Sequence, residues 1–202
     1  MLSISCNLIA KRYNKEVLFK GFDYTFDTNS KYVLTGSNSS GKSTLLKIIG
    51  GAISPTSGDI HYSLLDPKEQ LFSFCSPEMH LLDDYTVGEL FELHFQFKKP
   101  KISIKEQIEN ANLKSFLNKK YSELSSGLKN KVKLCLAVFT DTPALLLDEP
   151  CTNFDQANSD WYNAVIKDFC QDQLIIVASN QEIEYQFCTK RINLHHYKST
   201  IK

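Results

Sequence analysis

Nine consecutive residues carry the densest chemistry in the chain: Gly36-Ser37-Asn38-Ser39-Ser40-Gly41-Lys42-Ser43-Thr44. The spacing Gly-x-x-x-x-Gly-Lys-Ser lets the backbone curl so that successive N–H groups face one anion. An apolar run, Tyr32-Val33-Leu34, precedes it, and a helical-looking run, Leu45-Leu46-Lys47-Ile48-Ile49, follows. A strand, a tight turn and a helix in that order add the helix's positive end to the same place. Lys42 then supplies a point charge for the β- and γ-phosphates of a nucleotide, and Ser43 a hydroxyl for Mg²⁺. The plain alternative is a flexible Ser/Gly loop, and the flanking strand and helix argue against it.

A second group lies far downstream. Leu145-Leu146-Leu147-Asp148-Glu149-Pro150 sets two carboxylates just past an apolar run. One of them can hold a metal, usually through a coordinated water. Its neighbour can orient or deprotonate an attacking water. Leu124-Ser125-Ser126-Gly127-Leu128 precedes that run. Alone it reads as a Ser-rich helix cap.

The elements that must position these residues follow from periodicity. Leu2, Ile4, Cys6 and Leu8 alternate with neighbours as in a half-buried strand. Residues 11–15 read as a polar turn holding one aromatic, Tyr13, and Val17–Phe19 and Phe22–Phe26 as further strand. Lys31–Thr35 is the strand into the phosphate loop, and the helix from Gly41 stops near Gly50-Gly51. Strands are expected at Asp59–Ser63 and Leu71–Cys75. Thr86-Val87-Gly88-Glu89 and Ser103-Ile104-Lys105-Glu106 both fit the capping box, so each announces a helix. A short helix is expected at Lys114–Asn118, which makes about 78–125 a helical insert. Beyond it, Leu128, Val132, Leu136 and Phe139 recur at helical spacing. Ala144–Leu147 and Leu174–Ala178 read as strands buried on both faces. Asp155 caps a helix running through Cys170, and a helix at Glu182–Phe187 and a strand at Arg191–Leu194 close the chain. The alternation implies an α/β fold with a mostly parallel sheet. Ligands of such sheets bind at the carboxyl ends of the strands, where Gly36, Asp148 and Asn180 fall.

The bulk numbers narrow the partners. A chain of 202 residues suits one α/β domain. With 23 basic and 23 acidic residues there is no electrostatic case for nucleic acid or an anionic membrane. Six scattered cysteines form no Cys-x-x-Cys pair, so no zinc site is expected and a reduced cytoplasm is the natural setting. Neither a signal peptide nor a membrane span of about 20 apolar residues is legible.

Phosphate loop, helical insert, Leu-Ser-Ser-Gly and Leu-Leu-Leu-Asp-Glu-Pro, in that order, resemble the ATP-binding cassette (ABC) ATPases over essentially the whole chain. The resemblance implies a P-loop NTPase core with an N-terminal antiparallel β subdomain and a small α-helical subdomain, all in one domain, 1–202. It implies ATP and Mg²⁺ as ligands. Gly36, Ser37, Asn38, Ser39, Ser40, Gly41, Lys42, Ser43 and Thr44 fall in its Walker A loop. Asp148 matches the Walker B aspartate, and Glu149 the catalytic glutamate. Asp155 matches the acidic residue of the loop that crosses the dimer interface. Ser125, Ser126 and Gly127 match the signature, which in this family covers the ATP bound to the other subunit. Tyr13 stands where an aromatic stacks on adenine, or else is a surface tyrosine of a turn.

Three motifs depart from the family pattern, at four positions. The signature has Ser126 where glycine is usual, and Leu128 where an amide is usual. Glu78 stands where a glutamine ligates Mg²⁺, which would bring an extra negative charge. Asn180 stands at the switch histidine, and an amide cannot carry a positive charge. Slow hydrolysis is therefore expected. The resemblance implies a head-to-tail dimer with a second copy or a related ATPase. It also implies a separate transmembrane permease and a place on the cytoplasmic face of the membrane. The short length and Ser126 hint at the haem-exporter-type subgroup. Phe91, Phe95 and Phe97 either line a groove for the permease or form the core of the helical insert. Two other readings stay open: an ATP-dependent regulatory dimerisation module, and a soluble ABC ATPase acting on ribosomes or DNA.

Overall fold

The computed structural model describes residues 2–14, 16–28, 30–63 and 68–197, with Lys68 and Glu69 described as backbone alone. Strands β1 (Ser3–Tyr13) and β2 (Glu16–Asp27) form a long hairpin, and β3 (Lys31–Thr35) leads into helix α1 (Lys42–Ile49). Strand β4 (Ser57–Tyr62), helix α2 (Lys68–Leu71) and strand β5 (Phe72–Cys75) follow. The middle of the chain is helical, with α3 (Val87–Phe97), α4 (Ile104–Asn110) and two short 3₁₀ turns before α5 (Ser126–Val138). Strand β6 (Ala144–Asp148), helix α6 (Gln156–Phe169), strand β7 (Leu174–Ala178) and strand β8 (Lys190–Asn193) complete the chain.

Five strands make one sheet in the order β5-β6-β7-β3-β8, with every neighbouring pair parallel. A separate antiparallel sheet has the order β2-β1-β4. The expected mostly parallel sheet and N-terminal antiparallel unit are therefore both present. Strands β6 and β7 are buried along their whole length, as their unbroken apolar sequences require. Alternate residues divide the core into two layers. Leu145, Leu147, Ile175 and Val177 face the helices α3 to α6. Leu146, Ile176 and Leu34 face α1 and the antiparallel sheet. Each such side chain contributes about 1.5–3 kcal/mol by leaving water, which fixes the ends of β3, β6 and β7 against one another.

Both capping boxes form. Thr86 Oγ1 accepts from Glu89 N while Glu89 accepts from Thr86 N, and Ser103 and Glu106 repeat the exchange. The helical insert shares its core with one sheet face, where Phe91 is fully buried and Phe95 partly buried. Phe97, by contrast, is 79% exposed.

Several boundaries differ from expectation. The polar segment at 11–13 is strand rather than turn: β1 runs on to Tyr13 and pairs with Glu16, through register shifts after Cys6. Asn14 follows as a turn residue at φ 52, and Lys15 lies outside the described residues. The expected helix at Glu182–Phe187 is one 3₁₀ turn, Glu182–Glu184. The carbonyl of Glu184 accepts from the Tyr162 hydroxyl at 2.8 Å, so it does not continue the helical ladder. Lys114–Phe116 is likewise a 3₁₀ turn, and Leu71 ends a short helix instead of opening β5. β4 begins two residues before Asp59, at Ser57, and β8 ends at Asn193.

Candidate functional site

The phosphate loop leaves the carboxyl end of β3, an interior strand of the parallel sheet between β7 and β8. Gly41 caps α1 at φ 90, and a Cβ there would stand 2.8 Å from Leu18, so only glycine fits without rearrangement. Ser40 N donates to Ser37 O at 2.9 Å, which closes the loop. Lys42 arches back over it and donates from Nζ to Gly36 O at 3.0 Å and to Ser37 O at 3.3 Å. Burial lowers the Lys42 pKa, and Glu149 and Asp148 oppose that shift. The ammonium is thus held where curled amides, the α1 N-terminus and two carboxylates converge.

Strand β6 delivers the acids. Asp148 is 4% exposed and accepts from Ser43 Oγ at 2.9 Å. Burial raises its pKa to about 6, against the lowering effect of the Ser43 hydrogen bond. Two hard oxygens this close, one on a buried carboxylate, suit Mg²⁺. Glu149 sits at φ 42, with its N–H on Ala178 O at 3.0 Å. It lines the same cleft, of about 330 Å³, as Lys42, Ser43, Asn38, Glu78 and Tyr13.

Glu78 lies at the cleft rim with 74% of its side chain exposed, and it pairs with Lys47 Nζ at 2.6 Å. The hydrogen bond and charge of Lys47 pull its pKa down. Tyr13, half exposed, has Lys11 Nζ 5.1 Å from its ring centroid. Asn180 touches the loop from the β7 side: Gly36 N donates to its Oδ1 at 3.2 Å, and its Nδ2 donates to Asn38 Oδ1 at 3.4 Å. Ser125 and Asp155 cap α5 and α6, accepting from Leu128 N and Asn158 N respectively. Ser126 lines a separate pocket with Thr152, Asn153 and His80. Within one chain, then, the Ser125–Gly127 segment does not join the phosphate cleft.

Several contacts at the site have no local sequence signal. His195 Nε2 accepts from Ser37 N at 3.1 Å, so a histidine does reach the phosphate loop, although from beyond β8. Glu184 is fully buried, accepts from Cys151 N at 2.8 Å and bonds Ser179 Oγ. It thereby joins the segment after Glu149 to the segment before Asn180. Pairs like these, tens of residues apart, are fixed by topology and carry no periodicity of their own.

The family model described as ABC transporter matches residues 19–152, which include the phosphate loop, the helical insert, Ser125–Gly127 and the Asp148-Glu149 pair. The chain belongs to the ABC transporter family. Within it, this is the ATPase cassette. It is 27% identical over 191 residues to the cytochrome c biogenesis ATP-binding export protein CcmA of Wolbachia pipientis wMel, covering 92% of either chain. It is 30% identical over 176 residues to the lipoprotein-releasing system ATP-binding protein LolD of Blochmanniella floridana, covering 77% of this chain and 75% of that one. Its fold matches a dimeric, post-hydrolysis structure of the ATP-binding cassette MJ0796 bound to ADP and Pi, with a TM-score of 0.81 at 21% identity over 94% and 93% of the two chains. Among the described residues of this cassette, no helix is long and apolar enough to cross a membrane.

Proposed function

We propose that this ABC cassette binds Mg²⁺–ATP, hydrolyses it between two head-to-tail copies, and drives a separate permease from the cytoplasmic face of the membrane. The observation that carries the reading is the meeting of Lys42, Ser43 and Glu149 in one cleft, with Asp148 hydrogen-bonded to Ser43. The loop amides and the α1 N-terminus receive the phosphates. Lys42 gives up two carbonyls and turns its charge to the β- and γ-oxygens. Ser43 and Asp148 would hold Mg²⁺, which would supply positive charge against the phosphates. Glu149 orients the attacking water and accepts its proton. Tyr13, on the cleft wall, offers a face to the adenine ring. Asn180 hydrogen-bonds near the γ-phosphate without adding positive charge, which supports slow turnover. Glu78 would reach the metal only by leaving Lys47.

Separation of Ser125, Ser126 and Gly127 from the cleft of their own chain supports closure by a second copy, with Asp155 in the crossing segment. A groove of about 360 Å³ beside α3, lined by Leu82, Leu90, Leu93 and the exposed Phe97, supports docking of an apolar permease segment. The likeness to CcmA favours an export system. A regulatory cassette is the second reading, favoured by the neutral Asn180 and the Lys47-bound Glu78. Release of phosphate from ATP, with and without Glu149→Gln, separates the two. The ATPase reading expects Mg²⁺-dependent turnover in the wild type and at least a hundredfold loss in the variant. No turnover in either, with the permease present, leaves the regulatory reading.

A further inference from the structure

Helix α5 carries Gly127, Asn130 and Lys133 three residues apart, and so along one face. Each meets backbone carbonyls of a loop bordering the ATP cleft. A Cβ on Gly127 would stand 2.7 Å from Asn153 O. Asn130, 3% exposed, donates from Nδ2 to Pro150 O at 2.8 Å and to Thr152 O at 3.1 Å. Lys133, 6% exposed, donates from Nζ to Ser76 O at 3.1 Å, Pro77 O at 2.8 Å and Met79 O at 3.4 Å. Asn130 grips the segment that follows Glu149, and Gly127 leaves room for that segment to pack against α5. Lys133 grips the segment that holds Glu78.

An ammonium has three donors and no acceptor, and here each donor meets one carbonyl of a single turn. Among the described residues its Nζ makes no salt bridge. Burying it without a carboxylate costs free energy that an apolar residue of the same length avoids. What the lysine adds is a fixed loop. Ser76 O also accepts from Met79 N at 3.2 Å, and Ser76 Oγ accepts from Glu78 N at 3.2 Å, so the turn closes around the ammonium.

We propose that Lys133 is a positioning residue for hydrolysis: it ties the Ser76–Met79 turn to α5, so that Glu78 keeps its place at the rim of the ATP cleft. The inference rests on the ATPase reading above. Its consequence is a mechanical link inside one subunit. Ser125–Gly127 form the N-terminal end of α5, the end that would meet the partner's nucleotide. A shift of that helix carries both loops of its own cleft with it, through Asn130 and Lys133. Occupancy of one ATP site thereby bears on the geometry of the other.

Lys133→Met keeps the length and removes the donors, while Lys133→Arg restores them. Amide hydrogen exchange of the 76–79 segment is expected to speed up at least tenfold in Lys133→Met and to stay near wild type in Lys133→Arg. Binding of a fluorescent ATP analogue should stay within twofold in both, since neither touches the phosphate loop. Turnover should fall fivefold or more in Lys133→Met at unchanged KM, with at least half recovered in Lys133→Arg. Wild-type exchange in Lys133→Met overturns the tie. Faster exchange with wild-type turnover overturns its part in hydrolysis. If Lys133→Met does not fold, Lys133→Arg decides alone, with accelerated exchange counting against the tie. A wild type that hydrolyses nothing sinks the ATPase reading, while the exchange measurement still judges whether Lys133 holds the turn.

Discussion

Replacing Asp148 with asparagine should make the metal-free protein more stable while abolishing its chemistry. Asp148 is 4% exposed, and burial lifts its pKa from an ordinary value of 3.8 to about 6. A shift of about two units corresponds to about 3 kcal/mol against the ionised form at neutral pH. Asparagine carries no charge and can still accept from Ser43 through its Oδ1. Its amide needs a new partner, so about 3 kcal/mol is an upper bound. For a chain of this length each kcal/mol moves Tm by about 2–4 °C, so a gain of up to about 10 °C is expected. The sign follows from the direction of the shift. Asp148 costs the fold nothing below pH 3.8, and the penalty grows to its full size as pH rises through about 6. Melting curves in EDTA at pH 7.5, 6.0 and 5.0 should therefore show the advantage of Asp148→Asn shrinking as the pH falls. With Mg²⁺–ATP added the order should reverse, because binding stabilises only the chain that binds well. A variant no more stable than wild type at pH 7.5, or a gain independent of pH, would refute the reasoning.

Two further outcomes test neighbouring residues. Gly127→Ala places a Cβ 2.7 Å from Asn153 O; the loop must move, at a cost of about 1–3 kcal/mol, and turnover should drop at least tenfold, read by calorimetry and phosphate release. Asn180→Ala removes the acceptor of Gly36 N–H and the donor to Asn38; turnover should fall about tenfold with little change in ATP affinity, and unchanged turnover would dismiss Asn180 from the switch role.

Much of this was legible in the sequence because the signals were local. Ala144–Leu147 and Leu174–Ala178 read as doubly buried strands and are adjacent interior strands of the sheet. Thr86 and Ser103 announced their helices through pairs three residues apart, and both boxes form. The phosphate loop carried its own spacing. Residues working across the fold stayed silent. Lys133 sits in a helical pattern as one charge among several, and only packing turns it toward Ser76–Met79. Glu184 looked like one residue of a polar helix, yet it is fully buried, with its carboxylate between Cys151 and Ser179. His195 carries no motif around it, yet its ring meets Ser37. Phe91, Phe95 and Phe97 were one stretch in the sequence, and the fold gives them three different exposures.

The most direct test of the central claim uses Glu149→Gln, which should bind ATP and fail to release it as product. Light scattering of this variant is expected to show monomers without nucleotide and, with Mg²⁺–ATP, a species of twice the 23.0 kDa chain mass. The same sample carrying Lys42→Ala should stay monomeric. A Glu149→Gln chain that is saturated with ATP and yet remains monomeric, alone and beside its permease, would contradict a shared site closed by a second copy.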